Sequence, residues 1–271
     1  MPKQKLYFLC GLPRTGSTVL TAILSQNPKI YCTGTSAFGN VYYNTFLNWN
    51  EANSHLENYY PEQKHNLSHA MLNNAYLHID KPIIIDKNRR WPVLIDLIKE
   101  TSNIPIKIIA PVRNITDIVS SFLTLADATE DNYVKKELNK NKLPYTKQNA
   151  CKCIADTLIR DRYIALKTAF YKHKECFLFL EYNDIVNNPN TTIKKVYNFL
   201  DLPSYKHDYS NLVNMEPEKD AEVNGFANLH TIRPMLAKKS KPVIENIGKD
   251  MFEYFTSLKL EFWKEDITIK T

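Results

Sequence analysis

The chain has 271 residues, of which 44% are hydrophobic and 24% are charged, and its formal net charge is +6. This composition excludes a disordered chain and suits one domain with a sizeable core, which we expect to span residues 1–271. The positive charge suits a polyanionic ligand but is too small to predict nucleic-acid binding.

Targeting and redox signals are few. No apolar run approaches the length of a membrane span, and the first run, residues 6–12, is too short for a secretion signal. The five cysteines match no zinc-ligand spacing. We therefore expect reduced thiols in a cytoplasmic protein. No pattern indicates an oligomeric state.

Short apolar runs and helical periodicities alternate along the chain. The apolar runs predict four buried strands, at residues 6–10, 82–86, 106–110 and 176–180. Apolar residues at helical spacing predict helices at residues 18–26, 91–100, 115–125, 154–171, 190–200 and 245–263. The alternation predicts an α/β fold, a P-loop-like parallel sheet flanked by helices.

The remaining stretches are less regular. Residues 36–79 are predicted to be mostly helical and are rich in aromatic residues. Residues 127–150 are polar and contain Pro144, which favours a mobile lid or excursion over a domain linker. Residues 203–243 are predicted to be largely irregular.

The first strand is followed by a phosphate-loop pattern. Residues 11–18 have the spacing G-x-x-x-x-G-K-[ST], with Ser17 at the lysine position. Such a loop aims backbone N–H groups and a helix N-terminus at one point, which favours an anion. Arg14 adds a cation from within the loop, and a planar guanidinium can hold two oxygens of a phosphate or sulfate. The alternative is an ordinary strand-to-helix turn.

The second strand ends in charged residues. Asp86 at its end is similar to the Walker B aspartate that holds Mg²⁺, so a P-loop kinase or NTPase is an alternative function. Ser17 in the lysine position disfavours it. Lys87 follows directly and offers a cation to a developing negative charge.

The third strand is followed by a possible phosphate-binding pair. Arg113 stands at the strand end, where open α/β sheets bind ligands. Ser121 comes eight residues later, a little over two helical turns, so it returns to a nearby face. The two side chains can share one phosphate. A surface arginine and an unrelated helical serine are the alternative.

Taken together, these motifs resemble sulfotransferases that use 3′-phosphoadenosine-5′-phosphosulfate (PAPS), especially protein-tyrosine sulfotransferases and their bacterial relatives. The P-R-S-G-T-T loop of those enzymes is similar to residues 13–18, and their Arg and Ser at the 3′-phosphate are similar to Arg113 and Ser121. The resemblance implies the sulfotransferase fold, PAPS as co-substrate, 3′-phosphoadenosine-5′-phosphate (PAP) as product, a hydroxyl acceptor of unknown identity and no metal.

The resemblance also assigns cofactor-binding residues. At the 5′-phosphosulfate it places Arg14, Thr15, Gly16, Ser17 and Thr18. Tyr182, in a segment similar to the family's Y-E-x-L-x-x-x-P, is expected near the nucleotide, although capping of the fourth strand is an equal alternative. Arg233, in a basic loop that closes over PAPS in relatives, is expected at the 3′-phosphate.

The catalytic groups match the family less completely. Lys87 and Arg14 are the candidates that neutralise charge on the leaving phosphate. Arg89 stands where relatives carry Pro or His, and residues 32–36 lack the glutamate that serves as base in tyrosylprotein enzymes. Four groups stay open as general base: Asp86, Glu51, His55 and His230. An acceptor acidic enough to need little base catalysis is another possibility.

Two further points stay open in the sequence. The aromatic residues Tyr42, Tyr43, Phe46, Trp49, Tyr59 and Tyr60 line an acceptor pocket in one interpretation and pack against the sheet in the other. The absent family base also allows a non-catalytic protein that binds PAPS or another nucleotide.

Overall fold

One parallel sheet organises the structure, a computed structural model that describes residues 4–47, 49, 61–236 and 242–265. Its strands are β1 (Lys5–Leu9), β2 (Ile30–Cys32), β3 (Ile83–Lys87), β4 (Ile108–Val112) and β5 (Phe177–Glu181). They lie in the order β2-β3-β1-β4-β5, and every neighbouring pair is parallel. The predicted α/β fold with a parallel sheet is confirmed.

Helices connect the strands. In the part of the chain that the structure describes they are α1 (Ser17–Leu24), α2 (Phe38–Leu47), α3 (Pro61–Asn74), α4 (Trp91–Thr101), α5 (Ile115–Ala128), α6 (Tyr133–Lys140), α7 (Lys147–Cys153), α8 (Arg160–Lys172), α9 (Tyr182–Asn187), α10 (Pro189–Phe199), α11 (Asp220–Asn224), α12 (Val243–Ile247) and α13 (Lys249–Ser257). No helix among these residues is long and apolar enough to cross a membrane.

Both faces of the sheet are covered. Successive side chains of a strand point to opposite faces. In β1, Phe8 packs into one apolar cluster with α4 and α5, and its neighbours Tyr7 and Leu9 pack into a second cluster with α1 and α10. Burial on both faces explains why the strands are continuous apolar runs and do not alternate with polar residues.

Several element boundaries differ from the prediction. The edge strand β2 was not predicted, because three residues are too few for a pattern. Strand β4 continues through Pro111, where the sequence predicts an end. Pairing with β1 stops at Ile109, so the missing N–H of Pro111 costs no hydrogen bond on that side. The predicted 245–263 helix is interrupted at Gly248, whose φ is 83°.

The segment 127–150 is more regular than predicted. It contains α6 and α7, and its buried Val134, Leu138 and Ala150 pack into the core cluster on the α5 side of the sheet. Helix α7 continues through a π-helical turn, Ile154–Ile159, into α8. Few apolar positions among many lysines and asparagines concealed this helical face. That the segment moves as a lid stays a prediction.

The topology creates a crevice at the carboxyl ends of β1 and β4. From β1 the chain passes through α1 to β2 at one edge, whereas from β4 it passes through α5 toward β5 at the other edge. The loops after these adjacent strands therefore diverge. In open α/β sheets, ligands bind at such a switch point.

Candidate functional site

A cavity of about 370 Å³ occupies this crevice. Most of the residues that the sequence assigns to the ligand line it, although they come from four separate parts of the chain. These lining residues are Arg14, Gly16, Ser17, Thr18, Arg113, Ser121, Tyr182 and Arg233. Arg233 is exposed at the rim.

The loop before α1 is built for close approach to an anion. Arg14 and Gly16 both have left-handed backbone conformations, with φ of 60° and 85°. Thr15 is fully buried, and its hydroxyl donates to the carbonyl oxygen of Leu12 at 2.6 Å. The side chain of Thr15 therefore fixes the loop and does not line the cavity. Gly16 is followed directly by α1, whose N-terminal N–H groups favour negative charge.

Two arginines meet in the cavity. Arg14 donates through Nε to Ser121 Oγ at 3.0 Å and through Nη1 to the carbonyl of Leu229. Arg113 donates to the carbonyl oxygen of Arg14 and to Asp117 Oδ1, both at 3.2 Å. Burial lowers the pKa of Arg14, and the charge of Arg113 lowers it further. An anion between the two guanidinium groups would relieve this repulsion.

One donor of this pair has no acceptor. Arg113 Nε is buried and makes no hydrogen bond to any residue that the structure describes. The guanidinium carbon of Arg113 lies over the ring of Tyr182, 4.2 Å from the ring centre. This cation–π contact helps to hold the Arg113 side chain in place. Arg113, with this donor unused, lines the same cavity as Ser121, and such a pair fits a phosphate ligand.

The ring of Tyr182 also restricts which residue can occupy position 16 of the phosphate loop. A Cβ added to Gly16 would lie 2.8 Å from the ring of Tyr182, so only glycine fits there. The ring comes from the first turn of α9, directly after β5. Tyr182 thus packs between the loop and Arg113, which joins the two phosphate-binding motifs.

A second group of charged residues lies beside Lys87. Lys87 is 7% exposed and does not line the cavity. Its Nζ lies 3.6 Å from Glu218 Oε1, which also accepts a 2.8 Å hydrogen bond from the hydroxyl of Thr35. Burial lowers the pKa of Lys87, and Glu218 opposes that shift. Glu218 comes from the irregular region before α11 and was not identified in the sequence.

Glu218 leads from Lys87 to a histidine–aspartate pair. Its Oε2 lies 3.3 Å from Nδ1 of His230. Asp220 holds the same residue through both carboxylate oxygens, with Oδ1 2.6 Å from Nδ1 and Oδ2 accepting from the backbone N–H at 2.7 Å. Since Asp220 is an acceptor, Nδ1 carries the proton and Nε2 keeps a lone pair. His230 lines the cavity, so Nε2 is the nitrogen available to a ligand.

The surroundings of His230 favour its neutral form. Burial lowers its pKa most strongly, and the charge of Lys87 acts in the same direction, while Asp220 and Glu218 raise it. A neutral histidine with one nitrogen fixed by a carboxylate is the arrangement of an oriented general base. Of the two open base candidates within the described residues, Asp86 and His230, it is His230 that lines the cavity.

The other base candidates lie elsewhere. Asp86 is fully buried, and it accepts hydrogen bonds from Trp91 Nε1 at 2.7 Å and from the hydroxyl of Tyr76. Burial raises its pKa. Both of its oxygens are thus used in the core, which disfavours the Walker B role on which the kinase alternative depends. Glu51 and His55 lie outside the described residues.

The aromatic stretch before α3 contributes mainly to packing. Tyr42 and Phe46 are buried and contact each other, and Tyr42 also contacts Trp91. The Tyr42 hydroxyl hydrogen-bonds to Ser68 at 2.6 Å. Tyr59 and Tyr60 lie outside the described residues. For Tyr42 and Phe46 the structure supports the packing interpretation.

Comparisons with known proteins identify a family and a fold. A family model described as "Sulfotransferase family" matches residues 7–207. The sulfotransferase domain from the curacin biosynthetic pathway is similar in structure at 14% identity, with a TM-score of 0.54, covering 95% of this chain and 97% of its own. A mouse sulfotransferase, SULT7A1 in complex with PAP, is similar at 15% identity and a TM-score of 0.54, covering 97% of this chain and 85% of its own. Among curated proteins, no sequence matched significantly.

Proposed function

The chain belongs to the sulfotransferase family, and on this basis we propose that it moves a sulfuryl group from PAPS to a hydroxyl acceptor. The resemblance of residues 13–18 and of the Arg113–Ser121 pair to PAPS-binding motifs supports this donor. So does the printed description of the mouse neighbour as a complex with PAP.

The observation that carries the proposal is the convergence of Arg14, Arg113 and Ser121 on one cavity, where Arg14 donates to Ser121 and Arg113 donates to the carbonyl oxygen of Arg14. PAPS differs from ordinary nucleotides by its 3′-phosphate. Arg113, Ser121 and the rim residue Arg233 would hold that group, and residues 14–18 would hold the 5′-phosphosulfate. Each anionic part of PAPS thus has cationic or hydroxyl partners in one cavity.

His230 is the proposed general base. Its Nε2 takes the proton from the acceptor hydroxyl while the acceptor oxygen bonds to sulfur. The bond from sulfur to the 5′-phosphate oxygen breaks, its electron pair stays on that oxygen, and PAP leaves. Asp220 keeps Nδ1 protonated and stabilises the imidazolium that forms. This base supplies the function that residues 32–36 lack.

Arg14 lines the cavity and is the proposed direct partner of the leaving phosphate, whereas Lys87 does not line the cavity and is proposed to act through its charge alone. Charge builds on the leaving phosphate, and fixed cations stabilise that charge. Lys87 lies at the end of β3, next to the β1 loop that carries Arg14. Glu218 bonds to Thr35 and so holds Lys87 Nζ in place. The five buried, unpaired cysteines support a cytoplasmic location as part of the proposal.

The proposal is tested with ³⁵S-labelled PAPS, EDTA and a panel of phenols, sugars, hydroxy acids and tyrosine peptides. We expect metal-independent transfer of label, strongly reduced in His230→Gln. A Mg²⁺-dependent transfer of phosphate from ATP in the parallel assay would instead support the kinase alternative. Tight PAP binding without transfer to any acceptor would support a non-catalytic binding protein.

A further inference from the structure

Arg89 lines the cavity, and among the described residues it has neither a hydrogen-bond nor an ion-pair partner. The pKa of Arg89 is lowered to about 10, mainly by burial and also by the charge of Arg162, whereas the charge of Glu218 raises it. The group therefore remains a cation at neutral pH. The residue is nevertheless exposed, and it is among the residues that line the cavity.

Arg89 reaches the cavity from the β3 side of the sheet. It follows Lys87 by two residues at the carboxyl end of β3, and its charge acts on Lys87. Arg113, Ser121 and Tyr182 follow β4 and β5, which β1 separates from β3 in the sheet. Arg89 therefore lines the cavity on the side away from the strands that carry the residues assigned to the 3′-phosphate.

The anions of PAPS do not require this cation. In the proposed arrangement the phosphosulfate has the loop and Arg14, and the 3′-phosphate has Arg113, Ser121 and Arg233. A second arginine, Arg162, lies close enough for its charge to lower the pKa of Arg89. Arg162 projects from α8, and its Nη1 donates to the carbonyl oxygen of Leu158 at 2.8 Å in the π-helical turn.

We propose that Arg89 binds an anionic group of the acceptor, so that the preferred acceptors are hydroxyl compounds that also carry a carboxylate or phosphate. This rests on the proposed sulfotransferase function. Binding such a group would satisfy the Arg89 guanidinium, and Arg162 would add favourable charge. A neutral acceptor would leave Arg89 in the filled cavity without a partner.

The test uses pairs of acceptors that differ only in charge: 3-hydroxybutanoate with 3-hydroxybutanamide, 4-hydroxyphenylacetate with its amide, and glucose 6-phosphate with glucose. Transfer from ³⁵S-labelled PAPS is measured for the wild type, Arg89→Gln, Arg89→Lys and the control Arg90→Gln. Arg90 is a matched control because it stacks on Tyr43, 4.6 Å from the ring centre, and does not line the cavity. PAP affinity is measured for every variant, which shows that each is folded.

We expect the wild type to prefer the anionic member of at least one pair by about tenfold or more in kcat/KM, as for a charge-assisted hydrogen bond. Arg89→Gln is expected to lose that preference, Arg89→Lys to keep part of it, and Arg90→Gln to keep it all. If Arg89→Gln lowers kcat/KM equally for the anionic and the neutral acceptor of a pair, Arg89 acts on PAPS and the proposal is overturned. Absence of any preference in the wild type, or PAP binding without transfer to any anionic acceptor, would also overturn it. Failure to bind PAP would instead reject the proposed function itself.

Discussion

Replacing Asp220 with asparagine tests the assignment of His230 most closely. In the wild type, both oxygens of the Asp220 carboxylate accept hydrogen bonds from His230, at 2.6 Å from the ring and 2.7 Å from the backbone. An amide of the same shape offers one acceptor and one NH₂ donor. It therefore faces one of these two N–H groups with the wrong polarity.

The substitution is expected to lower the rate and also to shift the pH dependence of the activity that remains. If the NH₂ faces the ring, Nδ1 becomes the acceptor, Nε2 carries the proton, and the base is lost, which costs up to the ~10²- to 10⁴-fold that general-base catalysis contributes. Asp220 raises the pKa of His230 against the larger lowering by burial. Removing its charge therefore lowers that pKa further. The remaining activity is expected to persist to lower pH than in the wild type, although its plateau is smaller.

The tautomer can be measured without knowing the acceptor. In ¹⁵N-histidine-labelled protein we expect the Nδ1–H form of His230 in the wild type and the Nε2–H form in Asp220→Asn. Glu222→Gln removes the same charge from an exposed residue of α11 and is expected to change neither tautomer nor rate. A wild-type Nε2–H tautomer, or an Asp220→Asn enzyme with unchanged rate and pH profile, would refute the reasoning.

Three further substitutions probe the cavity and the core. Gly16→Ala puts an alanine in a left-handed backbone conformation against the ring of Tyr182. We expect the free energy of unfolding to fall by about 1–2 kcal/mol and calorimetry to show weaker PAP binding. Normal values for both would contradict the close approach of Gly16 to Tyr182. Tyr182→Ala is expected to weaken PAP binding a few-fold by releasing the Arg113 side chain, whereas Tyr182→Phe keeps the ring and the affinity; equal losses would reject the cation–π contact as the cause. Asp86→Asn replaces one carboxylate acceptor of the Trp91 and Tyr76 hydrogen bonds with an NH₂ donor. We expect denaturant unfolding to show a free energy of unfolding lower by about 1–3 kcal/mol, with PAP affinity in EDTA unchanged. A variant of normal stability that binds nucleotide poorly would instead support a Walker-type role.

The sheet was predictable because its strands are buried on both faces. Continuous runs such as Ile83–Asp86 have no other simple explanation between two helical patterns, and the loops at their ends then locate the site. Motif spacing identified Arg14, Arg113 and Ser121 because each lies at a fixed distance from a strand end. The structure brings these three into direct or shared contact.

The catalytic surroundings were less predictable. Glu218 and Asp220 lie in an irregular stretch without periodicity, and only tertiary folding carries them to His230 and Lys87. The sequence named His230 as one open candidate but gave no means of choosing it. The nearest available signal was the pair of acidic residues ten and twelve positions before that histidine, which is common in loops and carries little information alone.

Arg89 illustrates a different limit. The sequence shows only a departure from the relatives at that position, and an arginine after a strand is usually solvated or paired. Its significance comes from two facts that require coordinates: Arg89 lines the cavity, and it has no hydrogen-bond or ion-pair partner in the described residues. Composition and spacing cannot report a missing partner.

The central claim, a PAPS site built around Arg113, is tested most directly by calorimetric titration in EDTA with PAP and then with 5′-AMP. We expect PAP to bind at least tenfold more tightly than 5′-AMP, because its 3′-phosphate satisfies Arg113 and Ser121, and we expect Arg113→Ala to lose that preference. Equal affinity for the two nucleotides, or binding of neither by the folded wild type, would contradict the account.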